Sequence, residues 1–438
     1  MSTKTCKFGG SSLADSDCFR LVHDIVQADE QRCYVVPSAP GKRSPDDKKI
    51  TDLLYGWFHM LQDDLDPTQP MDIVTSRFTT LRDELGLKTD IEVIIGEIAG
   101  EAKNYETPDF LASRGEYLNG LLLAELLGAT FVDPAECIHL GHDGRVDAKT
   151  YTTLGERLSG DGAFVVPGFY GSDPDGRVKT FSRGGSDVTG AIVARASHSE
   201  LYENWTDVSG VRMVDPTIVP EARRIAEITY SELRELAYMG ASVLHDEAIF
   251  PIRDEGIPIN IRNTKAPDDA GTMIVSERES THPVCGIAAR SGFTMINIEK
   301  TLMNREVGFG RRVLSALEEQ GVSFEHMPSG IDTISLIVKD EELDHHGEAV
   351  LKGIERMCEP DRVTLAPGLA LIATVGQAMN HHIGVAARLC SALADARVNV
   401  RVLDQGSSEM NIIVGVEDSD LSKAVRAIYE AFESWSKE

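Results

Sequence analysis

Positive charge is scarce in this 438-residue chain: 43 Lys and Arg stand against 70 Asp and Glu, a formal net charge of −27. An acid excess of that size argues against nucleic acid and anionic membrane surfaces as partners, because a polyanion meets a repulsive field. Any phosphate handled here must be held by a few local cations and backbone amides. Paired cysteine is missing as well. Cys6, Cys18, Cys33, Cys137, Cys285, Cys358 and Cys390 are scattered, odd in number and free of any CxxC pair, the pattern of buried thiols in a reducing cytoplasm. No run reaches about 18 consecutive apolar residues, and MSTKTCKFGGSS holds no apolar core of signal-peptide length; neither a membrane span nor secretion is expected. Two phosphate signatures are absent too. Gly41-Lys42 has no glycine five residues earlier, so there is no GxxxxGK[ST] loop, and there is no dinucleotide fingerprint.

What is present is an α/β rhythm. Hydrophobic residues at 42% and charged residues at 26% are ordinary globular values, and the length allows two to four domains at roughly 100–200 residues each. Short apolar runs at 33–37, 129–132, 163–166 and 257–261 read as buried strands. Helical stretches lie between them, such as 111–127 before Gly128 and 231–239 before Gly240. Alternation of this kind predicts a parallel sheet covered on both faces, with ligands beyond the carboxyl ends of its strands. Asp143-Gly144 and Asp175-Gly176 predict hairpin turns. The segment 41–49 reads as a loop, its insert Arg43 to Lys49 either as a lid over a neighbouring site or, in the preferred reading, as a tolerated surface loop.

The last third contains a repeat. An offset of 76 places Met303-Asn304 on Met379-Asn380, Gly308 on Gly384, Arg312 on Arg388, Val322 on Val398, Glu325 on Arg401, Ile337-Val338 on Ile413-Val414 and Glu341 on Glu417. Each copy reads as a ferredoxin-like βαββαβ unit. The histidine pairs His345-His346 and His381-His382 are not read as metal ligands, since adjacent side chains point apart on either regular element.

Two glycine turns carry the chemistry. A strand from Thr3 to Phe8 runs into Lys7-Phe8-Gly9-Gly10-Ser11-Ser12, with a helix expected from about Ala14. A second strand, Val178 to Phe181, runs into Ser182-Arg183-Gly184-Gly185-Ser186-Asp187 and a helix of small residues. Paired glycines at a strand-to-helix turn let backbone amides approach phosphate, and the helix N-terminus adds partial positive charge. Two such turns, with Lys7 and Arg183 as cations, suit a nucleoside triphosphate.

These motifs, with TDVSGV at Thr206, Asp215-Pro216 and MGASVLHDEAI at Met239, resemble the motif series of the aspartokinases, in the amino acid kinase family. The repeat is similar to their pair of ACT domains. The resemblance implies a three-layer parallel-sheet kinase domain over 1–280, a first ACT domain over 281–366 and a second over 367–438, with 284–289 as a possible opening strand of the second. It also implies transfer of the γ-phosphoryl group of Mg-ATP to the β-carboxylate of L-aspartate, the first step toward lysine, threonine and methionine. A carboxylate with a pKa near ~3.9 is already ionised at neutral pH and needs no general base, so catalysis reduces to positioning and charge neutralisation.

By motif, the resemblance implies that Lys7 binds the phosphates and stabilises the transferring group, while Asp187 orients Lys7. Gly9, Gly10, Ser11, Gly184 and Gly185 form the phosphate turns, and Thr206 and Asp207 line the nucleotide pocket. Arg183, Ser38, Thr51, Glu116 and Ser186 hold aspartate. The sequence departs from the family pattern at Arg212, Thr217 and Ser242; Ser242 stands where a lysine is usual, and Arg212 is read as the compensating cation. In the first ACT copy, Met303, Asn304, Gly308, Phe309, Gly310, Glu325 and Ser329 are expected to bind an amino-acid effector. Lysine is preferred over threonine because Glu325 suits a second ammonium. A cytoplasmic homodimer or higher homo-oligomer, with no metal beyond the Mg2+ on the nucleotide, completes the expectation. Two alternatives stay open: another amino acid kinase, such as an acetylglutamate, glutamate or uridylate kinase, and a non-catalytic amino-acid sensor.

Overall fold

The computed structural model describes residues 2–182, 184–241, 244, 250–279 and 282–435. The chain divides into two compact units: Met1–Val211, Arg224–Tyr230 and Val243–Arg278 in one, and Arg212–Arg223, Ser231–Ser242 and Glu279–Glu438 in the other. No helix among the described residues is long and apolar enough to cross a membrane.

The first unit is built on an eight-stranded sheet. Its strands are β1 (Lys4–Phe8), β2 (Tyr34–Pro37), β3 (Thr130–Phe131), β4 (Phe164–Val165), β7 (Leu201–Thr206), β8 (Glu227–Thr229), β9 (Ile259–Asn263) and β10 (Thr272–Val275). Their order is β3-β4-β2-β1-β7-β9-β10-β8. All neighbours are parallel except β9 and β10. The apolar runs expected as strands became β2, β3, β4 and β9, each offset by a residue or two.

One local reading needs correction. The segment Val178–Thr180 is a strand, β6, but it pairs antiparallel with β5 (Tyr170–Ser172) outside the main sheet. The cause is the tight turn foreseen at Asp175-Gly176: the Asp173 carboxylate accepts from the backbone N–H of Asp175 and of Arg177, both at 2.9 Å. Gly176 sits at φ 78°, so the nearest strand partner is local. After β1 the helix expected from about Ala14 follows, beginning two residues later. A 3₁₀ turn spans Gly10–Leu13 and the helix Ser16–Gln27 starts only where Asp15 caps the Cys18 N–H.

Strand alternation on β7 sorts its side chains into two sets. Tyr202 and Asn204 face one way, Glu203 and Trp205 the other. Glu203, 1% exposed, receives Arg32 Nε at 2.8 Å, Arg262 Nη1 at 3.3 Å, Trp205 Nε1 at 3.0 Å and Cys6 Sγ at 3.3 Å. Both guanidinium groups also stack on the Trp205 ring, at 5.2 and 4.6 Å. One carboxylate thereby ties residues of β1, β7 and β9, and Arg32 just before β2, beneath the sheet. Burial alone would raise the Glu203 carboxyl pKa; the Arg32 hydrogen bond and charge reverse that, and it lies below the usual carboxylate range.

The second unit carries a five-stranded sheet of order β12-β11-β13-β15-β14, from β11 (Gly286–Glu299), β12 (Thr333–Lys339), β13 (Arg362–Val375), β14 (Val402–Asp404) and β15 (Asn411–Glu417). The Gly286–Arg290 half of β11 pairs with Leu371–Val375, and its Phe293–Glu299 half with both β12 and Arg362–Leu369. The repeat is visible in its helices, Phe309–Glu318 and Val385–Asp395, each opened by a glycine of positive φ, Gly308 at 82° and Gly384 at 98°. Past the hairpin turn, however, the gapless alignment slips by two. Glu325 N bonds Ile337 O at 2.8 Å, and Arg401 N bonds Gly415 O at 2.7 Å, so the offset is 76 on the first hairpin arm and 78 on the second. The turn of the second copy is two residues longer, and Ile337 answers to Gly415 rather than Ile413.

Glu203→Gln takes the carboxylate partner from the buried Arg32 and the part-buried Arg262 and is expected to cost about 3–5 kcal/mol at neutral pH. A carboxyl with a depressed pKa contributes its stability above the unfolded value and loses it as pH falls through the folded one. Urea denaturation at stepped pH should therefore show the deficit shrinking in acid; an unchanged deficit at low pH would contradict the charge argument.

Candidate active site

Close backbone packing shapes the glycine turn after β1. Gly9 N donates to Trp205 O at 3.0 Å and Gly41 N to Gly10 O at 2.8 Å. A Cβ on Gly41 would sit 2.6 Å from the Gly10 carbonyl, so only glycine lets the loops after β1 and β2 meet. Arg77, on the helix Thr68–Leu85 and 5% exposed, fastens the same place: its Nη2 donates to Ala14 O at 2.6 Å and Gly41 O at 2.7 Å, and its Nη1 to Asp47 at 2.8 Å. Asp47 also takes Arg43 at 3.0 Å. The insert 43–49 is thus anchored at its centre, while Arg43 and Asp46 stay exposed. At the second turn Gly184 adopts φ 58° and opens the helix Gly185–Ala196, a left-handed conformation that glycine takes at little cost.

Between these turns lies an ion pair. Lys7 Nζ is 2.6 Å from Asp187 Oδ1, with the two side chains 10% and 16% exposed. Asn204 Nδ2 donates to the same Oδ1 at 2.9 Å and the Tyr202 hydroxyl to Asp187 O at 3.1 Å. Lys7 stands opposite Asn204 in the parallel β1–β7 register, and Asp187 sits in the first turn of its helix, where a carboxylate is stabilised by the helix dipole.

A cleft of about 230 Å3 opens here, lined by Lys7, Ser38, Thr51, Glu116, Phe169, Gly184, Gly185, Ser186 and Asp187. Eight of these nine were singled out from sequence. Phe169 was not, and neither were Asn204 and Tyr202. Phe169 holds φ 82°, rare for a bulky residue, with its N–H on Thr189 Oγ1 at 3.0 Å; no motif marks it. Gly9, Gly10, Ser11, Thr206 and Asp207 do not line the cleft itself, but β1–β7 register puts Phe8 beside Trp205, so both strands end together there. Arg183 and Ser242 lie outside the described residues. Arg212 packs in the second unit with its guanidinium on the Ala222 carbonyl at 2.8 Å.

Glu116 is the electrostatic exception in the cleft wall. It is 6% exposed, its Oε2 has no hydrogen-bond partner, and burial pushes its pKa up to about 8 against the opposing Ala39 amide and Arg114 charge. A cationic group entering the cleft would favour its charged form.

In the second unit, Met303 and Phe309 are core residues, whereas Asn304, Gly308 and Ser329 are exposed and Gly310 is half-buried. Glu325 is already paired: Lys339 Nζ lies at 2.8 Å and the Tyr238 hydroxyl donates to its other oxygen. The second copy has the same cross-strand pair with the charges exchanged, Arg401 on Glu417.

The profile of the amino acid kinase family matches residues 3–263 and that of an ACT domain residues 372–432. Aspartokinase 3 of Bacillus subtilis is 41% identical over 98% of both chains. The crystal structure of Clostridium acetobutylicum aspartate kinase superimposes with TM-score 0.92 and 47% identity, covering 99% of this chain and 100% of that one. Aspartokinase III of E. coli, solved with aspartate and ADP, gives TM-score 0.77 and 27% identity over 98% and 100% of the two chains; solved with lysine and aspartate it gives 0.78 and 26% over 98% and 99%. The chain belongs to the amino acid kinase family and, within it, to the aspartokinases. It is an ATP-dependent phosphotransferase.

A carboxyl whose folded pKa is raised binds its proton longer in the native state than in the unfolded one, so it destabilises the fold as pH rises. Glu116→Gln is expected to gain stability over the wild type by about 1.4 kcal/mol per pH unit between the ordinary value of 4.5 and about 8. Urea denaturation of both proteins across that range checks it; parallel stability curves would refute the raised pKa.

Proposed function

We propose that this cleft transfers the γ-phosphoryl group of ATP to the β-carboxylate of L-aspartate, giving 4-phospho-L-aspartate and ADP. The observation that carries the reading is the Lys7–Asp187 pair at 2.6 Å, set among two glycine turns in one cleft with Glu116, whose Oε2 has no hydrogen-bond partner. The aspartate β-carboxylate is ionised and attacks the γ-phosphorus, and ADP leaves; Lys7 neutralises charge on the phosphoryl oxygens in transit. Amides of the Gly9-Gly10-Ser11 and Gly184-Gly185 turns receive phosphate, with Thr206 and Asp207 toward the nucleoside. Glu116 accepts the substrate ammonium, which draws off its proton, and Ser38, Thr51, Ser186 and Arg183 hold the remaining polar groups.

Among the described residues there is no cluster of three or more His, Cys, Asp or Glu suited to a metal ion. Mg2+ would come with the nucleotide, where it would neutralise phosphate charge. Such a cytoplasmic enzyme would commit aspartate carbon to lysine, threonine and methionine, as a homodimer or larger homo-oligomer. Its catalytic range would be 1–280 and its regulatory ranges 281–366 and 367–438.

For the effector, lysine is proposed, on the E. coli relative solved with it and on Glu325, where a free ammonium would displace Lys339. The occupied Glu325 also favours a second reading, an effector with no side-chain charge, such as threonine.

Hydroxamate assays with ATP and aspartate test the reaction. Lys7→Ala should lower turnover by about 10²–10³-fold, and glutamate should not replace aspartate; full activity in the variant, or equal use of glutamate, would reject the reading. Lysine should inhibit, and Glu325→Gln should raise the inhibitory concentration about tenfold or more, the loss of one charge-assisted bond. Inhibition by threonine but not lysine would decide for the neutral effector.

A further inference from the structure

Asn204 has no place in the chemistry as read above, and its position is costly. It lies in the middle of β7, between parallel neighbours β1 and β9, and is 2% exposed. Asparagine is a poor strand former, and a buried amide without partners loses its hydration. An aliphatic side chain would fill such a site at no polar cost. What compensates the amide is Asp187: Asn204 Nδ2 donates to Oδ1 at 2.9 Å, the oxygen that Lys7 Nζ approaches to 2.6 Å.

The surroundings keep this contact in one geometry. Parallel register sets Asn204 level with Lys7, so both side chains leave the sheet on the face that carries the helix of Asp187. Tyr202, two residues back on the same face, donates to Asp187 O at 3.1 Å, and its hydroxyl lies 3.4 Å from Asn204 Nδ2. That approach depends on Gly190, where a Cβ would stand 2.5 Å from the tyrosine oxygen. The helix, the carboxylate and β7 are therefore held together by two neutral donors, independently of lysine.

We propose that Asn204 is a positioning residue for phosphoryl transfer: it holds the Asp187 carboxylate in place when Lys7 moves its ammonium toward the transferring phosphoryl group. The inference rests on the reading of Lys7 and Asp187 given above. Without the amide, Lys7 would leave behind a buried carboxylate with no partner on that oxygen, and departure would be opposed by the full cost of stranding it. With the amide, one hydrogen bond persists throughout, and the site keeps the same electrostatic shape before and during transfer. The effect belongs to the transition state, so it should appear in kcat and not in substrate affinity.

Three variants of the full chain test this: Asn204→Leu, which keeps the branching at Cγ without the donor, Asn204→Asp, which keeps the shape and adds a second carboxylate, and Lys7→Ala as the benchmark. Asn204→Leu is expected to lose about ten- to a hundredfold in kcat, with KM for ATP and aspartate within about twofold of wild type. Asn204→Asp should lose more, because two carboxylates would hold the Lys7 ammonium back. Thermal melts of each variant establish that the assayed protein is folded, and a purely structural role would lower Tm while leaving kcat per folded enzyme alone. The proposal is overturned if kcat of folded Asn204→Leu stays within about twofold of wild type, or if the loss falls on KM. It is also overturned if Asn204→Asp is the more active of the two. Should Lys7→Ala retain activity, the underlying reading of the cleft fails instead, whatever the Asn204 variants do.

Discussion

A lysine ammonium and an aspartate carboxylate 2.6 Å apart, both nearly buried, are what the first unit is arranged around. Removing both from water is favourable only with further support for the charges: the amide of Asn204 on β7 donates to the Asp187 carboxylate, the first turn of the Gly185–Ala196 helix adds its dipole, and the Tyr202 hydroxyl holds the backbone carbonyl of Asp187. In a chain of net charge −27, long-range attraction for a triphosphate is absent. The affinity has to be local, which is why one cation is fixed so tightly and the backbone around it so thinly clothed with side chains.

The sheet serves this pair by alternation. On β7, Tyr202 and Asn204 are given to the cleft side and Glu203 and Trp205 to the opposite face, where Glu203 gathers Arg32, Arg262 and Cys6. A polar group on either face of a buried strand would ordinarily weaken it. Here each face has a closed network, so the central strands are pinned in register from both sides, and Lys7 is delivered level with Asn204 as a consequence of that register. Arg77 does similar work in the loops, holding the Gly41 and Ala14 carbonyls together from a helix far along the chain.

In the second unit the duplicated hairpin shows how a repeat diverges without losing its architecture. Glu325–Lys339 and Arg401–Glu417 join the same two arms with opposite polarity. An exchange of both partners keeps the cross-strand attraction, whereas changing either alone would set like charges face to face. The turn between the arms absorbed two extra residues, since a solvent-exposed loop accepts length at small entropic cost.

Much was legible in the sequence. Short apolar runs bounded by polar residues marked β2, β3, β4 and β9, and Gly128 and Gly240 marked helix ends because a left-handed residue is needed there. The motifs around Lys7 and Asp187 led to Lys7, Gly184, Gly185, Ser186 and Asp187 of the cleft wall, and the family resemblance added Ser38, Thr51 and Glu116. Phe169, Asn204, Tyr202 and Arg77 escaped, since each acts through partners remote in the chain and belongs to no local pattern. The repeat was visible, but its two-residue slip was not, because hydrogen-bond register rather than residue identity defines equivalence past the turn. The sequence by itself determined the class of fold, the two glycine turns and the chemistry of the groups beside them, all properties of short segments. Only the tertiary structure decided that Asn204 shares an oxygen with Lys7, that burial of Glu116 pushes its pKa up to about 8, and that Glu325 is already taken by Lys339. Those are distances between separate strands and helices, and packing alone sets them.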